Sequence, residues 1–249
     1  MLFRGSVSKA ISRPPPGDLV ASRQENSQLN QRIIGNPDLK PAESVNYDMS
    51  AEYFMPPLGI LSLGVFYKDI DNFVFSTSRI AADGVDERTR TNGDGGKVKG
   101  LEFAWAQQFS FLPGAWRGLG IETNYTYLDT EGAYPNRDAD QLELVNSPRY
   151  IFNAILSYAY DATSVRLSMN KLPDRLEAVG ARTALDRYNQ SNTVWDLAMK
   201  YEFSEAHHLF FNIKNLTDEP TVQYQGSPDN PTSVVYYGTQ YNLGVNLVF

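Results

Sequence analysis

The chain has 249 residues, carries a net charge of -7 and contains no cysteine. The negative charge and the lack of a basic cluster exclude an electrostatic nucleic-acid partner, and the missing thiols exclude disulfides and thiolate metal sites. No apolar run approaches the roughly 18 residues of a membrane-spanning helix, so residence in a membrane would require β-strands.

Alternating apolar and polar residues predict about ten β-strands, because successive side chains of a strand point to opposite faces. The first clear segment, 45–53, has valine, tyrosine, methionine and alanine on one face and asparagine, aspartate, serine and glutamate on the other. Further segments of this kind follow at 61–68, 101–106, 119–127, 150–158, 165–170, 195–203, 209–214 and 236–249.

The second face of several predicted strands carries charged residues. They are Glu102, Glu122, Arg166, Asp196, Lys200 and Glu202. Charged side chains cannot line a dry core, so this face is predicted to meet water while the apolar face, with aromatic rings near its ends, meets lipid. The predicted fold is therefore all-β, a transmembrane antiparallel β-barrel segment of about ten strands.

The connections between the strands are alternately short and long. The short ones are 55–59, 113–118, 161–163 and 204–207, and the long ones are 13–43, 79–97, 131–147, 173–192 and 218–235. Outer-membrane barrels show this asymmetry, with short periplasmic turns and long extracellular loops. If the last strand ends in the periplasm, every long connection lies outside the cell.

The final strand alternates up to the last residue, and it resembles the C-terminal assembly signal of Gram-negative outer-membrane barrels. The residues that carry this resemblance are Tyr241, Leu243, Val245, Leu247 and Phe249. The resemblance implies recognition by the barrel-assembly machinery.

Four further segments, in order along the chain, resemble TonB-dependent outer-membrane receptors. They are Ile11-Ser-Arg-Pro14 with Gly35-Asn-Pro-Asp-Leu-Lys-Pro-Ala-Glu-Ser44, then Phe66-Tyr-Lys-Asp-Ile-Asp-Asn-Phe73, Gly100-Leu-Glu102 and Asn212-Ile-Lys-Asn-Leu-Thr-Asp218. Members of that family have a barrel of about 22 strands around a plug domain, and a short box that engages TonB. The resemblance implies that residues 1–249 are the C-terminal portion of such a barrel, without the plug domain and the N-terminal strands. Either missing strands complete the barrel, or ten strands close on themselves.

The resemblance implies a receptor in the Gram-negative outer membrane that binds a scarce ligand outside and imports it with energy supplied through TonB. The ligand would be an iron siderophore or an oligosaccharide. Candidate ligand residues are aromatic and arginine side chains of the long connections, whose rings can stack on a ligand and whose guanidinium groups can pair with its oxygens. They are Tyr134, Arg137, Arg182, Arg187, Tyr188, Tyr224, Tyr236 and Tyr237. Loop packing or contact with lipopolysaccharide are alternative roles for each.

No catalytic constellation is visible, so the chain is not expected to be an enzyme, and no cofactor is expected. The two histidines, His207 and His208, fall in a short connection without a third ligand beside them, and are expected to be solvated turn residues rather than a metal site. The expected partners are outer-membrane lipid and lipopolysaccharide, the assembly machinery, TonB and a small-molecule ligand. A passive porin-like channel, or a soluble β-sandwich carbohydrate-binding protein or glycosidase, remain open alternatives.

Overall fold

The structure, a computed structural model, describes residues 1–28, 30–137, 140–204 and 206–247. The strands in these ranges are, in chain order, β1 (Leu2–Ser12), β2 (Arg23–Asn26), β3 (Gln31–Ile34), β4 (Ala42–Met55), β5 (Gly59–Asp71), β6 (Val74–Ile80), β7 (Asp86–Asn92), β8 (Gly95–Gln108), β9 (Leu119–Ala133), β10 (Tyr150–Tyr160), β11 (Thr163–Leu172), β12 (Arg175–Ala178), β13 (Arg187–Asn189), β14 (Asn192–Ser204), β15 (His207–Lys214), β16 (Thr221–Gln225), β17 (Pro231–Val235) and β18 (Gln240–Asn246). Helix α1 (Pro16–Leu19) and two 3-10 helices, Gly114–Gly118 and Thr183–Leu185, lie between strands. None of the helices in these ranges is long and apolar enough to cross a membrane.

Ten strands form one antiparallel sheet, which we call the wall. Its order is β1-β4-β5-β8-β9-β10-β11-β14-β15-β18, so each strand pairs with the next wall strand along the chain. Wall strands reach 15 residues in β9, more than the roughly 9 to 11 that a tilted strand needs to cross a bilayer. The predicted all-β antiparallel fold is confirmed. Within the described residues the wall is open, because β1 and β18 are its two unpaired edges.

The strand register aligns the predicted apolar faces across the whole wall. Tyr47 lies opposite Tyr67, and the same face continues through Leu101 opposite Tyr127 to Leu209 opposite Val245. These side chains are exposed, as shown by Leu156 at 52% and Leu243 at 67%. Soluble proteins rarely expose apolar patches beyond a few hundred Å², so a continuous apolar face over ten strands requires lipid. This geometry disagrees with the soluble sandwich alternative.

The opposite face of the wall is polar, as expected for a lumen. The Arg166 guanidinium lies 3.7 Å from Glu122, and Lys200 lies 2.5 Å from Glu202. Three asparagines form a ladder across β9, β10 and β11, since the Asn170 amide donates to Asn153 (2.5 Å) and the Asn153 amide to Asn124 (2.7 Å). Exposed ion pairs contribute little to stability, so these residues mainly keep the lumen face wetted.

Two lumen-facing phenylalanines lie flat over glycines of the neighbouring strand. A Cβ atom on Gly100 would lie 2.1 Å from the Phe66 ring, and one on Gly244 would lie 2.4 Å from the Phe210 ring. Each pair is directly opposite in the register. The glycine is therefore required for close approach, and the ring covers a backbone that has no side chain of its own.

The connections follow the predicted alternation but are more structured than expected. The five long ones, which we call outer connections one to five, run over residues 13–41, 72–94, 134–149, 173–191 and 215–239. They contain two four-stranded sheets, β2-β3-β7-β6 and β12-β13-β16-β17. Sequence reasoning missed them because six of the eight strands have only three to five residues and β7 contains no apolar residue.

Some boundaries in the sequence prediction were wrong. His207 and His208 were expected in a turn but are the first two residues of β15. The last wall strand begins at Gln240 and not at residue 236, because residues up to Val235 pair with β16 and Gly238 adopts a positive φ of 72°. Of the predicted assembly signal, Tyr241, Leu243 and Val245 lie exposed on β18 and Leu247 follows it. Phe249 lies outside the described residues, and the signal stays a prediction.

Candidate ligand-binding site

The main buried apolar cluster of the described residues lies in the outer connections, not in the wall. It consists of Phe73, Phe75, Tyr134, Leu144, Leu176 and Val179, which we call the outer-loop core. The Tyr134 ring packs edge-on against Phe73 (5.1 Å between centroids) and Phe75 (4.7 Å). Residues of connections two, three and four thus share one core, and a core of this kind gives the loops a defined structure.

Tyr134 is 1% exposed, and its hydroxyl group is fully engaged inside connection three. The hydroxyl donates to the Glu143 carbonyl (2.9 Å) and accepts the Val145 amide (2.9 Å). Burial raises the pKa of Tyr134 to about 12. Tyr134 therefore has a structural role, in packing and hydrogen bonding within the loops.

A buried ion pair joins connections three and four. Arg137 donates from both terminal nitrogens to the two carboxylate oxygens of Asp186, at 2.9 Å each, and Asp186 is 0% exposed. Arg137 also donates to the Gly180 carbonyl (2.6 Å), while the Gly180 amide donates to Asp186 (2.8 Å). The hydrogen bonds to Asp186 raise the pKa of Arg137 above its ordinary value. A bidentate contact of this type fixes the relative orientation of the two side chains as well as their distance.

Connection one is attached to connection two by asparagines. Within the Asn-Pro-Asp-Leu-Lys segment, Asn36 donates to the Arg90 carbonyl (2.9 Å), and the Lys40 amide donates to Asn92 (2.8 Å). Asn92 in turn donates to the carbonyls of Lys40 (3.0 Å) and Asn72 (2.8 Å). A segment that sequence analysis singled out only for its family resemblance therefore attaches one outer connection to the next.

A charged cluster stiffens the first loop sheet. The buried Arg32 lies 3.2 Å from Glu25, 2.5 Å from Asp83 and 3.4 Å from Glu87. Arg79 also pairs with Glu87 at 2.5 Å, and its hydrogen bond holds the pKa of Glu87 below the ordinary value. This network links strands β2, β3, β6 and β7, so connections one and two form a single unit.

A cavity of about 400 Å³ opens between connections three, four and five. It is lined by Gln141, Leu142, Glu143, Arg149, Pro173, Asp174, Arg175, Leu176, Tyr188 and Tyr224. Two of the predicted ligand residues, Tyr188 and Tyr224, stack here with ring centroids 5.1 Å apart and planes inclined by 13°. A cavity of this size, lined by rings and a few polar groups, has the character of a small-molecule site.

The polar groups of this cavity differ in how they are engaged. Tyr224 donates to Asp174 (2.9 Å), which also accepts the Ser191 amide (2.6 Å), and Arg149 donates to Glu143. Burial, with the hydrogen bond to Asp174, raises the pKa of Tyr224, and burial also raises that of Tyr188. Arg175 has a buried terminal nitrogen for which no described residue accepts a hydrogen bond.

The other predicted ligand residues lie apart from this cavity. Tyr134 and Arg137 are in the loop interior, and in this conformation their polar atoms are committed to other loop residues. Arg187 lies 3.2 Å from Glu177 and lines a separate cavity together with connections one and two, while Arg182 is exposed in connection four. Tyr236 and Tyr237, 67% and 68% exposed, lie between β17 and β18. No contact with a ligand is tested for any of these residues, and their assignment stays a prediction.

Sequence reasoning missed Arg149, Asp174 and Arg175. Each is close to the outer end of a wall strand, because Arg149 directly precedes β10 and the other two follow β11. The outer ends of neighbouring strands converge in space, so a search for charged residues at strand ends would have selected them.

Comparison with known proteins identifies the family. The family model described as TonB dependent receptor-like, beta-barrel matches residues 1–216. The chain belongs to this family. Its place is therefore the outer membrane of a Gram-negative bacterium, and it is part of a receptor and not of an enzyme.

Individual relatives cover most of this chain but only part of their own length. The iron-regulated outer membrane virulence protein of Vibrio cholerae is 25% identical over 232 residues, which are 87% of this chain and 32% of the relative. The ferric-catecholate import receptor Fiu of E. coli K12 superposes with a TM-score of 0.64 at 18% identity, over 99% of this chain and 33% of Fiu.

The copper transporter OprC superposes with a TM-score of 0.70 at 14% identity, over 99% of this chain and 37% of OprC. At these identities the structural likeness shows the fold. The chain spans about a third of the length of the relatives that it matches.

Proposed function

We propose that this chain is the C-terminal portion of the barrel of an outer-membrane receptor that imports iron bound to a siderophore. The complete receptor would include a plug domain, a TonB box and the wall strands that pair with the free edges of β1 and β18. The open wall and the coverage of about a third of each relative support this division. Energy would reach the receptor through TonB, by way of the N-terminal part.

The proposed ligand class rests on the cavity between connections three, four and five, which we call the outer-loop cavity. Its paired rings, Tyr188 and Tyr224, and its arginines, Arg149 and Arg175, provide a flat surface and hydrogen-bond donors for an oxygen-rich chelate. The relatives named for iron regulation and for ferric-catecholate import support the same class. An oligosaccharide would find only the partly exposed ring of Tyr188 in this cavity, since Tyr224 is buried behind it.

The structure of the wall suggests the remaining partners, which are lipids and the assembly machinery. Outer-membrane lipid and lipopolysaccharide would cover its exposed apolar face, and the assembly machinery would read the terminal strand from Tyr241 to Phe249. No nucleic-acid partner is proposed, because the chain carries a net charge of -7.

Uptake of radioactive iron by iron-starved cells tests the proposal. Cells with the intact receptor gene should accumulate iron from a ferric siderophore, and cells with the deleted gene, or wild-type cells treated with a protonophore, should not. A labelled oligosaccharide serves as the alternative substrate. Uptake that survives the protonophore would support the passive porin instead, and uptake of the oligosaccharide alone would overturn the iron assignment.

A further inference from the structure

The turn between β8 and β9, residues 109–118, differs from the other short connections in length and composition. It has ten residues, whereas the turns after β4 and β10 have three and two. Two of its large apolar side chains are widely exposed, Phe111 at 62% and Trp116 at 66%. Turns that face water are usually built from small polar residues, so contact with water does not explain this composition. We call this segment the β8–β9 turn.

The lipid-facing surface of the wall continues into the β8–β9 turn. The Phe109 amide donates to the Leu119 carbonyl (2.8 Å), so Phe109 extends the pairing of β8 with β9 by one residue. Its ring packs edge-on against Trp105 of the apolar face (6.5 Å between centroids) and against Phe111 (5.9 Å). Gln107, the polar residue of this row, is buried and donates back to a backbone carbonyl of the neighbouring turn. A row of rings thus leads from the lipid-facing surface to the exposed side of the turn.

The backbone of the β8–β9 turn has a fixed position beside β10. Gly114, with a positive φ of 58°, begins a 3-10 helix, and the side-chain amide of Gln108 donates to the Arg117 carbonyl (3.2 Å). A Cβ atom on Gly118 would overlap the Ala159 carbonyl group, so the turn approaches the end of β10 closely. The exposed side chains are therefore presented from a defined backbone.

Arg117 places one positive charge on the lipid-facing side of the β8–β9 turn. Its guanidinium lies 5.4 Å from the centroid of the Tyr160 ring, and Tyr160 stacks on Tyr158 (6.5 Å). Tyr158 lies opposite Leu119 and Val165 in the register, on the apolar face. Arg117 is exposed, and no carboxylate of the described residues forms an ion pair with it. A cation beside aromatic rings, at the edge of a lipid-facing surface, is complementary to the phosphate group of a phospholipid.

We propose that the β8–β9 turn is a membrane anchor, with Phe111 and Trp116 among the lipid headgroups and Arg117 bound to the phosphate of a phospholipid. The lipid belongs to the periplasmic leaflet, because the turn is at the end of the wall opposite the outer connections. Aromatic rings and arginine both favour the boundary between hydrocarbon and headgroups, since each combines an apolar body with a polar group. Continuity with the lipid-facing surface favours a phospholipid over a periplasmic protein as the occupant. The inference goes beyond the proposed function, because it does not depend on the ligand that the receptor imports.

Quenching of Trp116 fluorescence tests the anchor. The complete receptor is folded in vesicles of phosphatidylethanolamine and phosphatidylglycerol, and the difference between wild type and Trp116→Phe isolates the signal of Trp116. Phospholipids brominated near the headgroup end of the acyl chains should quench this signal, and acrylamide should quench it much less than it quenches a free tryptophan derivative. Trp105→Phe is the matched control, which isolates a lipid-facing ring within the wall. Quenching of Trp116 by acrylamide but not by the brominated lipids would overturn the anchor and favour a protein partner.

Native mass spectrometry of the complete receptor, titrated with phosphatidylglycerol, tests the phosphate site. Arg117→Gln should weaken binding of the tightest-bound lipid about fivefold, since one cationic contact with a phosphate is lost. Diacylglycerol, which has the acyl chains but no phosphate, should bind wild type and Arg117→Gln alike. Arg182→Gln, at an exposed arginine of connection four, is the matched control and should bind phosphatidylglycerol as wild type does.

Equal affinity of wild type and Arg117→Gln for phosphatidylglycerol would overturn the phosphate site. Both measurements are made without a siderophore, so they stand apart from the uptake experiment. A receptor that imports no iron but shows the expected quenching and lipid binding would contradict the proposed function alone.

Discussion

The wall and the outer connections are built on opposite principles. In the wall, apolar side chains such as Leu243 point away from the protein and the order comes from backbone pairing across ten strands. In the outer connections, apolar and charged side chains such as Tyr134 and Asp186 are buried against each other. The wall thus relies on the membrane for burial, while the connections provide their own core. Loops that contain a core can hold a cavity in a fixed shape.

The largest expected effect comes from breaking the buried ion pair, which should destabilise the outer connections but not the wall. Asp186→Ala removes the fully buried carboxylate partner of Arg137 and leaves it only Asp140, which is part-exposed. Breaking a buried ion pair costs about 3–5 kcal/mol in comparable cases, and we expect an effect at or below the lower end of that range. We expect connections three and four to become sensitive to proteolysis while the heat resistance of the wall is unchanged. Asp229→Ala is the control, since Asp229 is an exposed residue of connection five. Loss of wall stability in the Asp186 variant would contradict the independence of the two regions.

The dependence of the wall on lipid can be tested with a charge on each face. Leu156→Lys places an ammonium group on the apolar face near the middle of β10, at a cost of about 2–4 kcal/mol for a lysine at the bilayer midplane. Ser168→Lys, on the polar face opposite Asp196, should be tolerated. The measurement is the denaturant midpoint of the receptor folded in lipid vesicles. Equal midpoints for the two variants would show that the faces are assigned wrongly.

The next largest expected effect is a loss of thermal stability when close packing within the wall is disturbed. Gly100→Ala would push a methyl group into the Phe66 ring, which overpacking studies place at about 1–3 kcal/mol. Gly64→Ala is matched, because it lies on the same face and its new Cβ would have its nearest neighbour, Glu102, at 3.6 Å. We expect a lower thermal midpoint for the Gly100 variant alone. If the two variants have the same thermal midpoint, the Phe66 ring moves aside freely and the close approach has no structural role.

The smallest expected effect concerns alkaline pH and the outer-loop core. The pKa of Tyr134, about 12 in the folded protein against an ordinary value of 10, favours the neutral phenol on folding. This contribution is complete below pH 10 and is lost as the pH rises through about 12. The difference in tyrosinate absorbance between wild type and Tyr134→Phe should therefore appear near pH 12. A difference centred near pH 10 would show that the Tyr134 hydroxyl is not buried.

The regions also differ in how far their structure could be predicted from the sequence. Wall strands such as β14 carry a two-residue period that one chain displays directly, and the side of each connection follows by counting. The prediction failed at Gly238, because the alternation from Tyr236 onward continues through a turn and a period alone cannot show where pairing stops. Short loop strands such as β13, with three residues, contain too few positions to display a period.

The candidate site was predicted only in part, for a related reason. Residue type suggested tyrosines and arginines, and Tyr188 and Tyr224 do share a cavity. Residue type could not distinguish Arg137, whose partner Asp186 is 49 positions away, from Arg175, whose buried Nη1 has no acceptor among the described residues. Whether a charged loop residue faces a ligand or a buried counter-ion depends on long-range contacts that a single sequence does not show.

Hydrogen–deuterium exchange of the complete receptor, with and without a ferric tris-catecholate, tests most directly whether the outer connections form the ligand site. We expect slower exchange on ligand binding in residues 141–149, 173–191 and 221–225, which surround the cavity, and unchanged exchange in the wall strands. Saturable binding that leaves these three segments unchanged, or that protects only connection one, would contradict this assignment.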